Sequence, residues 1–302
     1  ESMSRIKAIG VIGIPYNVGW KGEGIDEGPS ALRKAGLLKQ LEHVAETVAD
    51  FGDVNVGLPP RDDSNPKLLN PHQVVAVCKA VAPQVRSACE QGYFPLILGS
   101  EDSVIMGIVE GLQQALPQPV GLVYLDAHAD FNTPETTPSG LIGGMDVAIL
   151  TGRGPDLLTN IFGHKPQLRE EQIAIFGARD LDPLEWRTLK ESKVHLYTMD
   201  RVAKLGAEQA MKDATEKLES CERIYVHIDI DVLDPSEIKA IHMNVPDGLK
   251  LAECTSALQV LRKTGRLCGL AVMVFNARKD PDGTEARKLN RSIVDGLGQR
   301  LE

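Results

Sequence analysis

Short runs of Val, Ile and Leu, set apart by longer amphipathic stretches, constrain this chain more than any other feature. The runs are Ile6–Ile14, Glu46–Asp50, Phe94–Leu98, Val120–Leu125, Gln172–Phe176, Val194–Tyr197, Arg223–Ile230 and Leu267–Val274. Few polar residues alternate within them, as expected of strands buried on both faces of a parallel sheet. Helices fit the intervals at Pro29–Leu41, Pro71–Gln91, Ser103–Ala115, Pro183–Glu191, Val202–Glu219 and Leu251–Lys263, with a last one over about Thr284–Leu301. The alternation predicts one α/β domain spanning residues 1–302, a three-layer αβα sandwich around an eight-stranded, mostly parallel sheet. Two stretches, Gly52–Asn70 and Thr151–Glu171, read as long loops of the kind that carry function or assembly.

Charge narrows the partners. Lys plus Arg number 33 against 42 Asp plus Glu, a formal charge of −9 that offers no basic face to nucleic acid or an anionic membrane. No run of about 18 apolar residues could span a bilayer. The five cysteines form no CxxC pair, which predicts a reducing, cytoplasmic setting. Glu1 and Ser2 ahead of Met3 read as an expression remnant.

Ligands of open α/β sheets bind beyond the carboxyl ends of the strands. There the chain places Asp126-Ala127-His128-Ala129-Asp130, then Asp229-Ile230-Asp231, and Gly99-Ser100-Glu101-Asp102-Ser103. Residues two apart on a strand share a face, so Asp126, His128, Asp130, Asp229 and Asp231 are expected to converge at one rim. Such a concentration of negative charge is unfavourable without cations. A pair of divalent ions would offset it, and carboxylate and imidazole without thiolate suit Mn²⁺ or another borderline-hard ion.

Several segments carry a resemblance. Ile12-Gly13-Ile14-Pro15, Glu27-Gly28-Pro29-Ser30-Ala31-Leu32-Arg33-Lys34-Ala35-Gly36-Leu37, Asp126 to Pro134, Gly177-Ala178-Arg179-Asp180-Leu181-Asp182-Pro183 and His227 to Ser236 stand in order along nearly the whole chain. Together they resemble the arginase/agmatinase (ureohydrolase) family, and arginases above all. The resemblance implies a binuclear manganese site at Asp102, Asp126, His128, Asp130, Asp229 and Asp231, with Asp130 also catalytic. It assigns Asn132, Thr137 and Ser139 to a substrate α-carboxylate, and Asp182 and Glu185 to the α-amine. It also implies a homotrimer or homohexamer, and a guanidino amino acid as substrate.

Four positions depart from the family pattern. Asp102 stands in place of a ligating His, Gly143 in place of a proton-shuttling His, Val274 in place of a guanidinium-binding Glu, and Ile241 in place of a small polar residue. All lie at the reacting end, whereas the amino-acid end is kept. Counted over the family's positions, the charge is preserved, five Asp and no Glu replacing four Asp and one Glu. His242 reads either as a replacement acid/base or as a solvated loop histidine. His227 reads either as support for a ligand or as a core histidine. The expected activity is metal-dependent hydrolysis of the guanidino C–N bond of arginine or a modified arginine. The alternative is a non-catalytic arginase-like protein that binds an amino acid or regulates a true arginase.

Overall fold

The computed structural model describes residues 5–298. Glu1 and Ser2, and the last residues of the expected C-terminal helix, lie outside the described residues. The strands are β1 (Ile6–Ile14), β2 (Ala45–Asp53), β3 (Phe94–Gly99), β4 (Val120–Leu125), β5 (Ile173–Phe176), β6 (His195–Tyr197), β7 (Arg223–Asp229) and β8 (Leu267–Met273). They form one sheet in the order β2-β1-β3-β8-β7-β4-β5-β6. Every pairing within it is parallel.

The helices are α1 (Gly28–Lys34), α2 (Leu37–Leu41), α3 (Pro71–Glu90), α4 (Ile105–Ala115), α5 (Asp146–Leu150), α6 (Asp156–Thr159), α7 (Pro183–Glu191), α8 (Met199–Leu205), α9 (Ala207–Lys217), α10 (Leu251–Lys263) and α11 (Thr284–Leu297). Alternate strand residues feed two cores. Val123, Leu125, Val226 and Ile228 join residues of α2, α9, α10 and α11. Leu122, Tyr124 and Tyr225 join residues of α3, α4 and α5 on the other face. This double burial is why the strands read as nearly continuous apolar runs.

The helix expected over Pro29–Leu41 is two helices, divided at Gly36, and that over Val202–Glu219 is divided at Gly206. Both glycines are left-handed in φ, at 89° and 79°, a geometry that interrupts a helix at little cost only for Gly. The loop expected over Thr151–Glu171 holds the short α6, and α5 just ahead of it was not foreseen.

Helix α4 presses onto α3 through two glycines. A Cβ at Gly107 would stand 2.5 Å from the Cys78 carbonyl oxygen, and one at Gly111 2.5 Å from that of Ala82. The obstacles are backbone and cannot rotate away. Gly107→Ala is expected to lower stability by about 1–3 kcal/mol, seen as a lower urea midpoint at unchanged slope. An unchanged midpoint would mean that the two helices can separate freely.

Candidate metal centre and active site

The chemistry-bearing residues gather beyond the carboxyl ends of β3, β8, β7 and β4, the middle of the sheet. Their convergence arises differently from the strand-parity expectation. Strand β7 ends at Asp229, and Ile230–Val232 is a 3₁₀ turn. Asp229 Oδ1 accepts the N–H of Asp231 at 2.8 Å, and Asp126 Oδ1 accepts that of His128 at 2.6 Å. Each aspartate thus closes a turn onto the backbone two residues on, which ends the strand and folds the next acid back toward the rim. Asp231 Oδ1 accepts the N–H of Ala127 at 3.0 Å and ties the two turns together. Asp130 sits at φ 48°, a left-handed conformation that Asp tolerates better than most residues.

Two donor groups result. Asp126, His128 and Asp231 form one, and Asp102, Asp126 and Asp229 the other; in each, one ligand atom per residue lies within 4.8 Å of the rest. Asp126 belongs to both. His128 Nδ1 faces Asp126 Oδ1 at 3.1 Å and Asp231 Oδ2 at 3.2 Å. Asp126 Oδ2 is buried without a hydrogen-bond partner. An orphaned carboxylate oxygen beside an imidazole and further carboxylates is what a divalent cation would satisfy, so the residues present fit two ions.

Asp130 stands beside these groups and accepts the Tyr124 hydroxyl at 2.5 Å. His227 is wholly buried and directs Nε2 to Asp102 Oδ1 at 2.8 Å, while its Nδ1 meets the Tyr225 hydroxyl at 2.8 Å. Burial lowers the His227 pKa to about 3, so the ring is neutral. A neutral ring carries one N–H, so of its contacts with Asp102 and Tyr225 it donates one and accepts the other.

A cavity of about 230 Å³ opens above these groups. Asp102, His128, Asp130, Asp229 and Asp231 line it, and Asp126, common to both donor groups, is wholly buried. Asn132, Thr137, Ser139, Asp182 and Glu185 line it as well, and so does His242. Asn132 Nδ2 donates to Asp182 Oδ2 at 2.9 Å. Thr137 Oγ1 accepts the N–H groups of Ser139 and Gly140. Glu185 is more committed than the resemblance implies, since its two oxygens accept the N–H groups of Phe131 and Asp182 at 2.9 and 3.0 Å.

Without cations this cluster is electrostatically strained. Burial first, then neighbouring carboxylates, raise Asp102, Asp126 and Asp229 well above the usual carboxylate range. Burial likewise raises Asp130 to about 6, although His128 and the Tyr124 hydroxyl oppose the shift. Burial works against the charged form of His128, but the hydrogen bond and charge of Asp231, with Asp130 and Asp229, outweigh it and raise the imidazole to about 10. Below that value the cation-free ring holds a proton that a metal must displace. Mn²⁺ affinity is therefore expected to rise from pH 7 to 9 by about tenfold per unit for each proton released. Calorimetry across that range measures it, and a pH-independent affinity would contradict a cation at His128.

Two acids at the site were not foreseen. Glu101 lines the cavity. Asp146, at the start of α5, is fully buried with neither oxygen hydrogen-bonded, and burial with the charges of Asp130 and Glu101 raises its pKa. Both acids were present in the sequence, in Gly99–Ser103 and after Gly143-Gly144-Met145, but no spacing set them apart from surface acids.

His242 also has a definite state. Asn276 Oδ1 accepts the Arg278 N–H at 3.1 Å, so its amide Nδ2–H₂ faces His242 Nδ1 at 3.1 Å. Nδ1 is the acceptor and Nε2 carries the hydrogen. Burial and the charge of Lys279 lower its pKa, keeping the ring neutral near pH 7.

Comparison with known proteins agrees with this geometry. The sequence matches the arginase family over residues 7–296. The chain belongs to the arginase family. The arginase of Bacillus subtilis (strain 168) is 33% identical over 298 residues, 98% of this chain and 99% of that protein. The crystal structure of Bacillus cereus arginase superposes with a TM-score of 0.90 at 30% identity, covering 98% of this chain and all of that one. The Entamoeba histolytica arginase, crystallised with L-ornithine, gives a TM-score of 0.88 at 26% identity over 97% of this chain and 99% of that one. The arginase-family relatives and the carboxylate–imidazole clusters together indicate a metal-dependent hydrolase.

Proposed function

We propose that this chain hydrolyses the guanidino C–N bond of L-arginine or an N-substituted arginine. Water adds across that bond, giving urea or a substituted urea and the amine of an ornithine-like product. The observation that carries the reading is Asp126, shared by two donor groups whose other members line the same cavity as Asn132, Thr137, Ser139 and Asp182. The comparisons offer no support for the non-catalytic alternative.

Asp102, Asp126, His128, Asp130, Asp229 and Asp231 would hold the cations, two Mn²⁺ per chain. Bound there, divalent ions supply the Lewis acidity that makes water nucleophilic near neutral pH. Asn132, Thr137 and Ser139 orient the substrate carboxylate. Asp182 receives the α-amine, and Glu185 acts mainly through its bonds to Phe131 and Asp182. Asp130, oriented by Tyr124, takes a proton from the attacking water. Asp130 then passes that proton to the departing nitrogen, toward which the neutral His242 ring directs a hydrogen bond from Nε2–H, since its Nδ1 is held by Asn276.

No helix among the described residues is long and apolar enough to cross a membrane. We place the enzyme in the cytoplasm, without nucleic-acid or membrane partners, as a homotrimer or homohexamer. A urea-release screen of arginine, hydroxyarginine, agmatine and guanidinobutyrate, each with Mn²⁺, Ni²⁺ and Co²⁺, tests the reading. Release from an α-amino guanidino acid is expected with Mn²⁺, and silence toward all four would overturn it. Light scattering tests the assembly.

A further inference from the structure

The aspartates of the two donor groups are fixed in different ways. Asp126 Oδ1 accepts the His128 N–H, Asp229 Oδ1 accepts the Asp231 N–H, and Asp231 Oδ1 accepts the Ala127 N–H. These donors belong to the backbone, and the turns themselves hold them in place. Asp102 is the exception. Among the described residues its carboxylate has one hydrogen-bond partner, His227 Nε2 at 2.8 Å. The other charged groups that act on it, Asp126, Asp146, Asp130 and Glu101, are acids and push against its negative form.

His227 is built into the sheet, not into a loop. It lies on β7 between Tyr124 of β4 and Ala271 of β8, its partners in register. The Tyr124 ring stacks on the imidazole, with centroids 5.1 Å apart and planes 8° from parallel, and the Tyr225 hydroxyl meets Nδ1 at 2.8 Å. With both nitrogens bonded and one face covered, the ring has a fixed orientation. Burying an imidazole completely is costly, and packing alone would be served better by an apolar side chain. Of its two polar partners, Asp102 is the one that lines the cavity, and Asp102 stands where the family pattern has a ligating His. With a cation bound, the Asp102 carboxylate is ionised and only accepts hydrogen bonds. Nε2 then carries the ring hydrogen, and the Tyr225 O–H donates to Nδ1. Metal-bound histidines are commonly braced by a carboxylate. Here the order is reversed, and the imidazole braces the carboxylate. We infer that His227, held by Tyr225 and Tyr124, is the positioning residue for Asp102, and that the cation at Asp102, Asp126 and Asp229 depends on it while the cation at Asp126, His128 and Asp231 does not. The inference rests on both donor groups binding cations, as proposed above, and not on which guanidino acid is turned over.

His227→Asn keeps an amide within reach of Tyr225 but falls short of Asp102. His227→Gln is one carbon longer and can place an N–H where Nε2 stands. Calorimetry with Mn²⁺ should show one of the two ions bound about 10- to 100-fold more weakly by His227→Asn, the other changed by less than about threefold, and most of the loss recovered in His227→Gln. A purely structural histidine predicts that the two variants are equally harmful or that both ions are weakened alike. Either result, or unchanged affinity in His227→Asn, would overturn the inference. Tyr225→Phe leaves the imidazole in place and removes only the hydroxyl, so it decides the matter even if the His227 variants fail to fold. One ion should again be weakened, by about 3- to 10-fold, the weight of one neutral hydrogen bond, and unchanged affinity would count against the brace decisively. Wild-type protein that binds two ions yet releases no urea would refute the activity alone. Wild-type protein that releases urea while His227→Asn keeps both ions would refute the brace alone. Wild-type protein that saturates with fewer than two ions would overturn the inference as well.

Discussion

Asp126→Asn should abolish cation binding at both positions at once. The side chain sits in both donor groups, and its two oxygens have separate tasks. Oδ1 closes the turn by accepting the His128 N–H at 2.6 Å, and Oδ2 is buried without a partner. Asn can keep the turn through its carbonyl oxygen, which leaves an N–H₂ group where a cation needs a lone pair. One negative charge goes as well. The shape hardly changes, so the fold should survive and circular dichroism should match the wild type. Cation stoichiometry should fall from two to none under conditions that saturate the wild type. Affinity should drop by more than about a hundredfold, since even indirect supports of metal ligands are worth 10- to 100-fold. Urea release should disappear with it. A variant that still takes up two ions would show that the site lies elsewhere.

The second large effect is expected at a residue that neither lines the cavity nor belongs to a donor group. Arg179 follows β5 and spreads its guanidinium over carbonyl oxygens of two loops. Nη2 donates to Val245 at 2.7 Å and Asp231 at 2.8 Å, and Nε donates to Pro246 at 2.8 Å. Weaker bonds reach Gly177 and Val232 at 3.3 Å. The turn that carries Asp231 is thereby pinned to the 245–246 loop, and Gly248 makes room, since a Cβ there would lie 2.6 Å from Arg179 Nη2. Arg179→Leu would strand several carbonyls. Partial exposure of the site limits the loss to about 3 kcal/mol, or roughly 5–10 °C in Tm. Because Asp231 would lose its brace, Mn²⁺ affinity should also fall. A variant with wild-type melting and Mn²⁺ affinity would mean that the carbonyls are satisfied by water.

The sheet was legible because burial on both faces leaves runs such as Val120–Leu125 without polar alternation, and that pattern is local. The acids at the ends of β4 and β7 were legible because a strand end fixes where a side chain begins. How they converge was not. Strand parity suggests a shared face, whereas the structure uses carboxylate-closed turns, visible only once the hydrogen bonds are placed. Glu101 and Asp146 were opaque for a related reason. Glu101 stands beside Asp102 and Asp146 is a lone acid after two glycines, and only packing against Gly19, Ser103 and Asp130 brings them to the site. The state of His242 depends on Asn276, 34 residues away. The divisions at Gly36 and Gly206 were hidden because an amphipathic pattern runs through both.

The sheet order has a consequence for how the protein comes into being. Strand β7 lies between β4 and β8, so Asp229 and Asp231 reach Asp126 only after some hundred residues of intervening chain have been made. A ribosome-bound fragment ending before residue 223 carries Asp102, Asp126 and His128 but lacks both later carboxylates. Capture of a divalent cation during translation would therefore report that β7 has emerged and docked beside β4, and such a cation would stabilise the later stages of folding without guiding the earliest ones.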